Sequence, residues 1–184
     1  MNKILTDKLS YVSGYRKHRQ KTADYVLEHP EMFPDLLQFC FSNDEELSHK
    51  ACWVTEFVCK KKLEWIYPHL DEFTQKLPSL TNDSAIRPLA KVCELLCGKY
   101  FKKNGTDLSL TLKEEHLNKL VEINFDWLIA DVKVATKAYA MQNLFYLGQK
   151  YDWIYPELKQ TLLNGIPNHS SAYKARAQHI LRRI

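Results

Sequence analysis

The chain repeats itself. Trp65-Ile66-Tyr67-Pro68 recurs 88 positions later as Trp153-Ile154-Tyr155-Pro156. Asp83-Ser84-Ala85-Ile86-Arg87-x-x-Ala90 recurs as Ser170-Ser171-Ala172-Tyr173-Lys174-x-x-Ala177, and Asp44-x-x-Leu47-x-x-Lys50-Ala51 as Asp131-x-x-Val134-x-x-Lys137-Ala138, both shifted by 87. A smaller pattern underlies these copies: a capping residue, an apolar residue three positions on and Ala seven positions on. It starts at Asp44, Asp83, Asp131 and Ser170, at spacings of 39, 48 and 39 residues. An Asp or Ser at the start accepts from the free N–H groups of a first helical turn. Positions three and seven residues on share one helical face, where a small Ala lets a neighbouring helix approach. The period suits a two-helix module that cannot bury its apolar face alone, so modules must stack.

The second helix of each module has its own marker. Phe33-Pro34, Tyr67-Pro68 and Tyr155-Pro156 put an aromatic and a proline ahead of Asp35-Leu36, His69-Leu70 and Glu157-Leu158. Proline suits a first helical position, where its missing N–H costs nothing. The third module lacks the marker and carries an insertion, Gly98 to Thr111, with a turn expected at Asn104-Gly105-Thr106-Asp107. First helices are expected near 15–28, 45–62, 84–103, 132–150 and 171–183, and second helices near 33–42, 66–77, 112–128 and 154–163. Only 5 glycines among 184 residues leave little for the tight turns of an all-β chain.

Asp83-x-x-Ile86-Arg87-x-x-Ala90 resembles the first-helix signature of HEAT repeats. The other three copies depart from it where Arg is expected, at Ser48, Ala135 and Lys174. The resemblance implies an all-α fold, a right-handed α-α superhelix of about four to five HEAT-like helix pairs. It implies one solenoid domain over 1–184, with a degenerate N-terminal unit at about 15–42 and units at about 44–80, 83–128, 131–165 and 170–184. It also implies that the second helices line the concave face.

Charge then separates the two sets of helices. A net charge of +4 is too small to imply nucleic acid by itself. The expected second helices hold four cations (Lys76, Lys113, Lys119, Lys159) and eight acids, while the expected first helices hold 20 of the 26 Lys and Arg residues. The inner face is therefore expected to be mildly acidic, with His69, Glu72, Gln75, Lys119, Glu122, Glu157 and Gln160 as partner-binding residues. A protein or peptide with a basic or amphipathic segment would fit it. Arg16-Lys17-His18-Arg19, Lys60-Lys61-Lys62, Lys99 with Lys102-Lys103, and Arg182-Arg183 read as solvated helix ends, where lysine near a C-terminus complements the dipole.

Nucleic-acid binding is the alternative, because HEAT-like solenoids include the alkylpurine DNA glycosylases. The sites of that group combine Trp, Asp and Arg. Trp127 and Asp131 supply the first two, but Asp131 repeats Asp44 and Asp83 and is expected to be an N-cap. No Arg lies between Arg87 and Arg176.

No other motif carries chemistry. The seven histidines form no His-Glu-x-x-His pair and no Cys/His ligand spacing. His116, in Glu114-Glu115-His116, is expected to be exposed at a helix start. Cys40, Cys52, Cys59, Cys93 and Cys97 contain no Cys-x-x-Cys and read as reduced core thiols of a cytoplasmic protein. Trp65 and Trp153 are repeat equivalents and are expected to pack in or beside the core. No apolar run approaches the roughly 18 residues of a membrane span, and residues 1–14 hold none long enough for a signal peptide. A non-enzymatic scaffold is the expectation, with no catalytic residue, metal or cofactor.

Overall fold

Two of the four expected caps form as the spacing dictates. The Leu47 N–H donates to Asp44 Oδ1 at 3.0 Å and the Tyr173 N–H to Ser170 Oγ at 3.5 Å. The other two are displaced. Asn82, not Asp83, caps its helix: its Oδ1 accepts from the Ser84 N–H at 2.8 Å and its carbonyl from Ala85 and Ile86. Near Asp131 the helix starts later, with Lys133 as the N-cap residue and no side-chain cap bond. Asp131 is thus not a cap. The shift leaves Ala138 half-buried, while Ala51, Ala90 and Ala177 are fully buried.

The computed structural model describes residues 2–102 and 111–184. Its α-helices are α1 (Lys3–Ser10), α2 (Arg16–Glu28), α3 (Phe33–Cys40), α4 (Glu45–Cys59), α5 (Leu70–Lys76), α6 (Asp83–Tyr100), α7 (Glu114–Ile129), α8 (Val134–Leu147), α9 (Ile154–Gly165) and α10 (Ser171–Leu181). The described residues contain no strand, so the chain is all-α. None of their helices is long and apolar enough to cross a membrane. The expected turn at 104–107 lies outside the described residues.

The proline marker works differently in each copy. Pro34 falls in the first turn of α3 and Pro156 in the first turn of α9. Pro68 instead lies within a 3-10 stretch, Leu63–His69, and α5 begins only at Leu70. The helix expected from 66 is therefore shorter. The sequence reading also passed over α1. Asn2 Oδ1 caps it through the Leu5 N–H at 3.3 Å, and Leu5 and Leu9, one turn apart, are fully buried.

The chain divides into two compact units, Met1–Val92 and Cys93–Ile184. In the first, α4 is the central helix and packs against α1, α2 and α3. Its core gathers Phe33, Leu36, Leu37, Val54, Val58, Ile66 and Phe73. In the second, α8 packs against α7, α9 and α10. Leu117, Leu120, Leu144, Leu147, Leu158 and Tyr173 fill that core. α4 and α8 carry repeat-equivalent motifs, so each unit is built around the same copy of the pattern, in helix pairs packed as stacked two-helix modules.

The lysine common to those two motifs has a structural task. Lys50 donates to the carbonyl of Ser10, the last residue of α1, at 3.0 Å. Lys137 donates to the carbonyls of Leu128 and Ala130 at 2.8 and 2.6 Å, at the C-terminal end of α7. A buried ammonium satisfies carbonyls that a helix end leaves open, where the dipole favours a cation. Burial lowers the pKa of Lys137, and Asp131 nearby raises it. Asp131 thus acts as electrostatic support for this lysine. Lys137→Met is expected to cost about 1–3 kcal/mol, the range for hydrogen bonds made by a charged group. Urea unfolding would measure it, and a loss below about 0.5 kcal/mol, the scatter of ordinary surface substitutions, would contradict the role.

Candidate interaction surface

Each unit presents its own second-helix face. In the first unit, His69 is half-buried with its ring 6.2 Å from that of Phe33. Trp65 meets the same phenylalanine edge-on at 5.8 Å. Glu72 is held by Lys76 at 2.6 Å, four residues on, and Gln75 is exposed. Of the three expected contact residues in this unit, one is therefore part of an aromatic cluster and one has its charge balanced.

The second unit is arranged otherwise. Lys119, Glu122, Asp126 and Ile129 follow one another at intervals of three or four along α7, which sets them on one face, and Phe125 lies three residues from Glu122 and four from Ile129 beside them. Glu122, Asp126 and Ile129 are exposed, and Lys119 and Phe125 are half-buried. Trp153, Glu157, Gln160 and Leu163 make a matching exposed row along α9. Trp153 joins the two rows by stacking on Phe125, with ring centroids 6.0 Å apart and planes 17° apart. Large apolar side chains stand in the open: Ile129 is 70 % exposed, Trp153 57 % and Leu163 48 %.

The charges around this apolar ridge are unequal. Glu114 is engaged by Lys150 and by the Tyr151 hydroxyl, and those hydrogen bonds lower its pKa. Glu122, Asp126 and Glu157 have no ion-pair partner among the described residues. Gln160 donates to Asn164 Oδ1 at 3.1 Å.

The sequence pattern discloses the polar members of this surface and not its apolar ones. Trp153 is the repeat equivalent of Trp65, which points to packing, and Phe125, Ile129 and Leu163 belong to no repeated pattern. One signal was available: Ile129 follows Leu128, and Leu163 follows Leu162, so each lies about 100° off the buried stripe of its helix.

The candidate chemical groups fall elsewhere. His116, expected to be exposed, is buried, and its Nδ1 accepts from the Lys113 N–H at 3.0 Å as a reciprocal cap of α7. Trp127 is buried in α7, Asp131 faces Lys137, and Arg176 donates to the Ala138 carbonyl at 3.3 Å. All five cysteines are free and buried. Burial pushes the Cys97 thiol up to about 12 and raises Cys93 as well, so neither supplies a thiolate at neutral pH.

Stacked helix pairs with an Asp/Ser cap and a buried Ala point to one class of repeat. A family model described as a HEAT repeat domain matches residues 6–98. The chain belongs to the HEAT repeat family. No curated protein and no solved structure matches it. The matched segment covers all of α2 to α5 and most of α6, and so includes the degenerate first pair as well as the copy at Asp83. Membership accounts for the stacked helix pairs of this HEAT chain, and Trp65, Lys50, Lys137 and the caps serve that scaffold through their contacts. It leaves over what is particular to one copy, above all the open ridge of α7 and α9.

Proposed function

We propose that this HEAT protein is a non-enzymatic scaffold whose α7–α9 face receives a protein segment bearing both apolar and basic side chains. The observation that carries the proposal is the Phe125–Trp153 stack, on helices that also expose Ile129, Leu163 and three acids with no ion-pair partner among the described residues. Monomer surfaces scatter apolar residues singly, whereas a contiguous apolar strip rimmed by charge marks an interaction site. Tryptophan is the side chain most often decisive in such interfaces. The acids Glu122, Asp126 and Glu157 complement lysine or arginine on the partner and steer its approach. Lys119 and Gln160 lie on the same rows and supply rim contacts. In the first unit, His69, Glu72 and Gln75 would add contacts of lower value, since Glu72 already has Lys76. The five buried free thiols are compatible with a reducing compartment such as the cytoplasm.

The test is quantitative capture of bound protein by the intact chain and its variants. Trp153→Ala is expected to weaken capture about thirtyfold, the effect of an interface hot spot worth about 2 kcal/mol. Glu122→Lys with Glu157→Lys should slow association and weaken capture further. Equal recovery by wild type and these variants would remove the face from the proposal. Nucleic acid is the second reading, and the distribution of charge speaks against it. Lys60–Lys62, Lys102, Lys150, Arg182 and Arg183 sit in turns and at the C-terminal end, whereas a phosphate backbone asks for cations along the groove that receives it.

A further inference from the structure

In the first unit, one aromatic ring is surrounded by cations. Arg16 Cζ and Arg19 Cζ lie 5.9 and 5.8 Å from the centroid of Phe57, and Lys60 Nζ lies 5.2 Å from it. Arg19 also lies 5.2 Å from the ring of Trp53, one turn earlier on α4. Glu56 supplies the counter-charge: buried in α4, it accepts from Lys60 at 2.5 Å and from Arg87 of α6 at 3.0 Å. Two cations thus pair with this carboxylate, and Arg19 feels its charge together with the opposing charges of Arg87 and Arg16. Among the described residues, neither Arg16 nor Arg19 has a carboxylate partner.

Arg19 bears most of the imbalance. One of its terminal nitrogens donates to the Gly14 carbonyl at 2.5 Å, while its Nε is buried with no hydrogen-bond partner. A buried donor left open is costly and calls for an acceptor. Burial lowers its pKa, and repulsion from Arg87 adds to the effect. The local backbone has the same sign. α2 begins at Arg16 with no side-chain cap and no acid in its first turn, so cations stand where the helix dipole favours an anion. The rings of Trp53 and Phe57 hold the guanidinium groups by cation–π contact and so limit their freedom to turn away.

We propose that Arg16, Arg19 and Arg87, gathered around Phe57 and Glu56, bind a phosphate monoester carried on a serine or threonine of a protein partner. Guanidinium forks match the oxygens of a tetrahedral phosphate in direction as well as charge. A monoester bears close to two negative charges at neutral pH, which offsets most of the local excess. The cations form a knot about one ring rather than a line, which suits a single phosphate and not a polynucleotide track. Trp53 and Phe57 offer apolar walls to the residues beside the phosphate. The choice of a protein as carrier rests on the scaffold reading above, whereas the phosphate site itself does not.

The test is a nuclear magnetic resonance titration of the full, isotope-labelled chain with N-acetyl-phosphoserine methylamide. Inorganic phosphate, the unphosphorylated serine analogue and a short DNA duplex are the comparison probes. Saturable shifts in the millimolar range are expected with phosphoserine, centred on residues 14–20, 53–60 and 84–91, and none with the serine analogue. Arg16→Gln and Arg19→Gln should each weaken binding about tenfold or more, and Arg19→Lys should not restore it, because the fork is lost. Arg16 is exposed, so its variant should unfold at the wild-type temperature and remain informative if Arg19 variants do not fold. Absence of saturable shifts, or affinity unchanged in both glutamine variants, would overturn the site. Binding of inorganic phosphate without phosphoserine, or of duplex DNA alone through the same arginines, would overturn the peptide assignment. Glu122→Lys with Glu157→Lys should leave this titration unchanged, so the site and the α7–α9 face fail independently.

Discussion

Gly148→Ala is expected to destabilise the protein by about 3 kcal/mol, near the upper end for overpacking a filled site. For a chain of this size that corresponds to a fall in melting temperature of about 6–12 °C. Gly148 follows the last residue of α8, and its backbone is compatible with alanine, having no positive φ. The obstacle is Tyr155. A Cβ at position 148 would lie 2.2 Å from Tyr155 Cε1 and 2.4 Å from Cδ1. The ring cannot swing away freely: its hydroxyl donates to the Phe145 carbonyl at 3.2 Å, and it lies against the Phe145 ring at 6.1 Å. Arg183 covers Phe145 at 4.0 Å, so the C-terminal end of the chain shares the cost of any movement. Thermal unfolding of Gly148→Ala, Tyr155→Ala and the double variant separates the causes. A clash predicts a double variant more stable than the sum of the singles by more than the usual 0.3–0.5 kcal/mol tolerance of additivity. A Gly148→Ala protein within about 0.5 kcal/mol of wild type would refute the contact.

What the sequence disclosed and what it hid follow from the range of the forces involved. Caps and apolar stripes are local, so Asp44, Ser170 and the stripe Leu117–Leu120–Val121–Leu128 can be read from spacing alone. The all-α fold and the HEAT class followed from the same marks. The two Trp-Ile-Tyr-Pro segments show where local reading ends. The same four residues lie in a 3-10 stretch ahead of α5 and, apart from Trp153, in the first turn of α9. Their surroundings differ: Trp65 stands edge-on to Phe33, whereas Trp153 lies flat on Phe125. Tertiary contact, which repeats do not share, decides between the two.

The candidate surfaces were legible only in their polar parts. Glu122 and Glu157 are legible as charges off the apolar stripe of their helices, but whether a charge is balanced depends on geometry. Glu72 has Lys76 at i+4, a pairing that sequence permits. Glu114 is balanced by Lys150, 36 residues away, a pairing it does not disclose. The arginine knot was hidden for the same reason. Arg16 and Arg19 read as a solvated helix end until α4 brings Trp53, Glu56 and Phe57 beneath them, and α6 brings Arg87 to Glu56.

Asn124→Leu should cost about 2 kcal/mol, although it places an apolar residue in an apolar core. Asn124 and Asn143 are fully buried on α7 and α8. Asn143 Nδ2 donates to Asn124 Oδ1 at 2.8 Å, and Asn124 Nδ2 donates to the Leu120 carbonyl at 2.7 Å. The leucine removes the Asn124 acceptor that the Asn143 amide faces at 2.8 Å and sets an apolar side chain against a buried polar group, which costs more than a hydrogen bond contributes. Asn143→Leu should cost less, because Asn124 keeps its bond to Leu120 and the group left open is an acceptor. The double leucine variant is then expected to recover part of the loss, since apolar side chains then face each other at that contact. What it should lose is the fixed register of α7 against α8, for which a buried polar pair is a specific determinant and leucine pairs are not. Urea unfolding measures the first effect, and hydrogen exchange of the α7 amides measures the second. A single Asn124→Leu variant as stable as wild type would show that the pair does not hold the two helices. A double variant with unchanged exchange would show that it does not set their register. Since α7 carries Glu122, Phe125, Asp126 and Ile129, a shift in that register would also carry the proposed docking face out of line with Trp153. Loss of partner capture in the double variant, at near-normal stability, is therefore the functional consequence expected of a purely internal change.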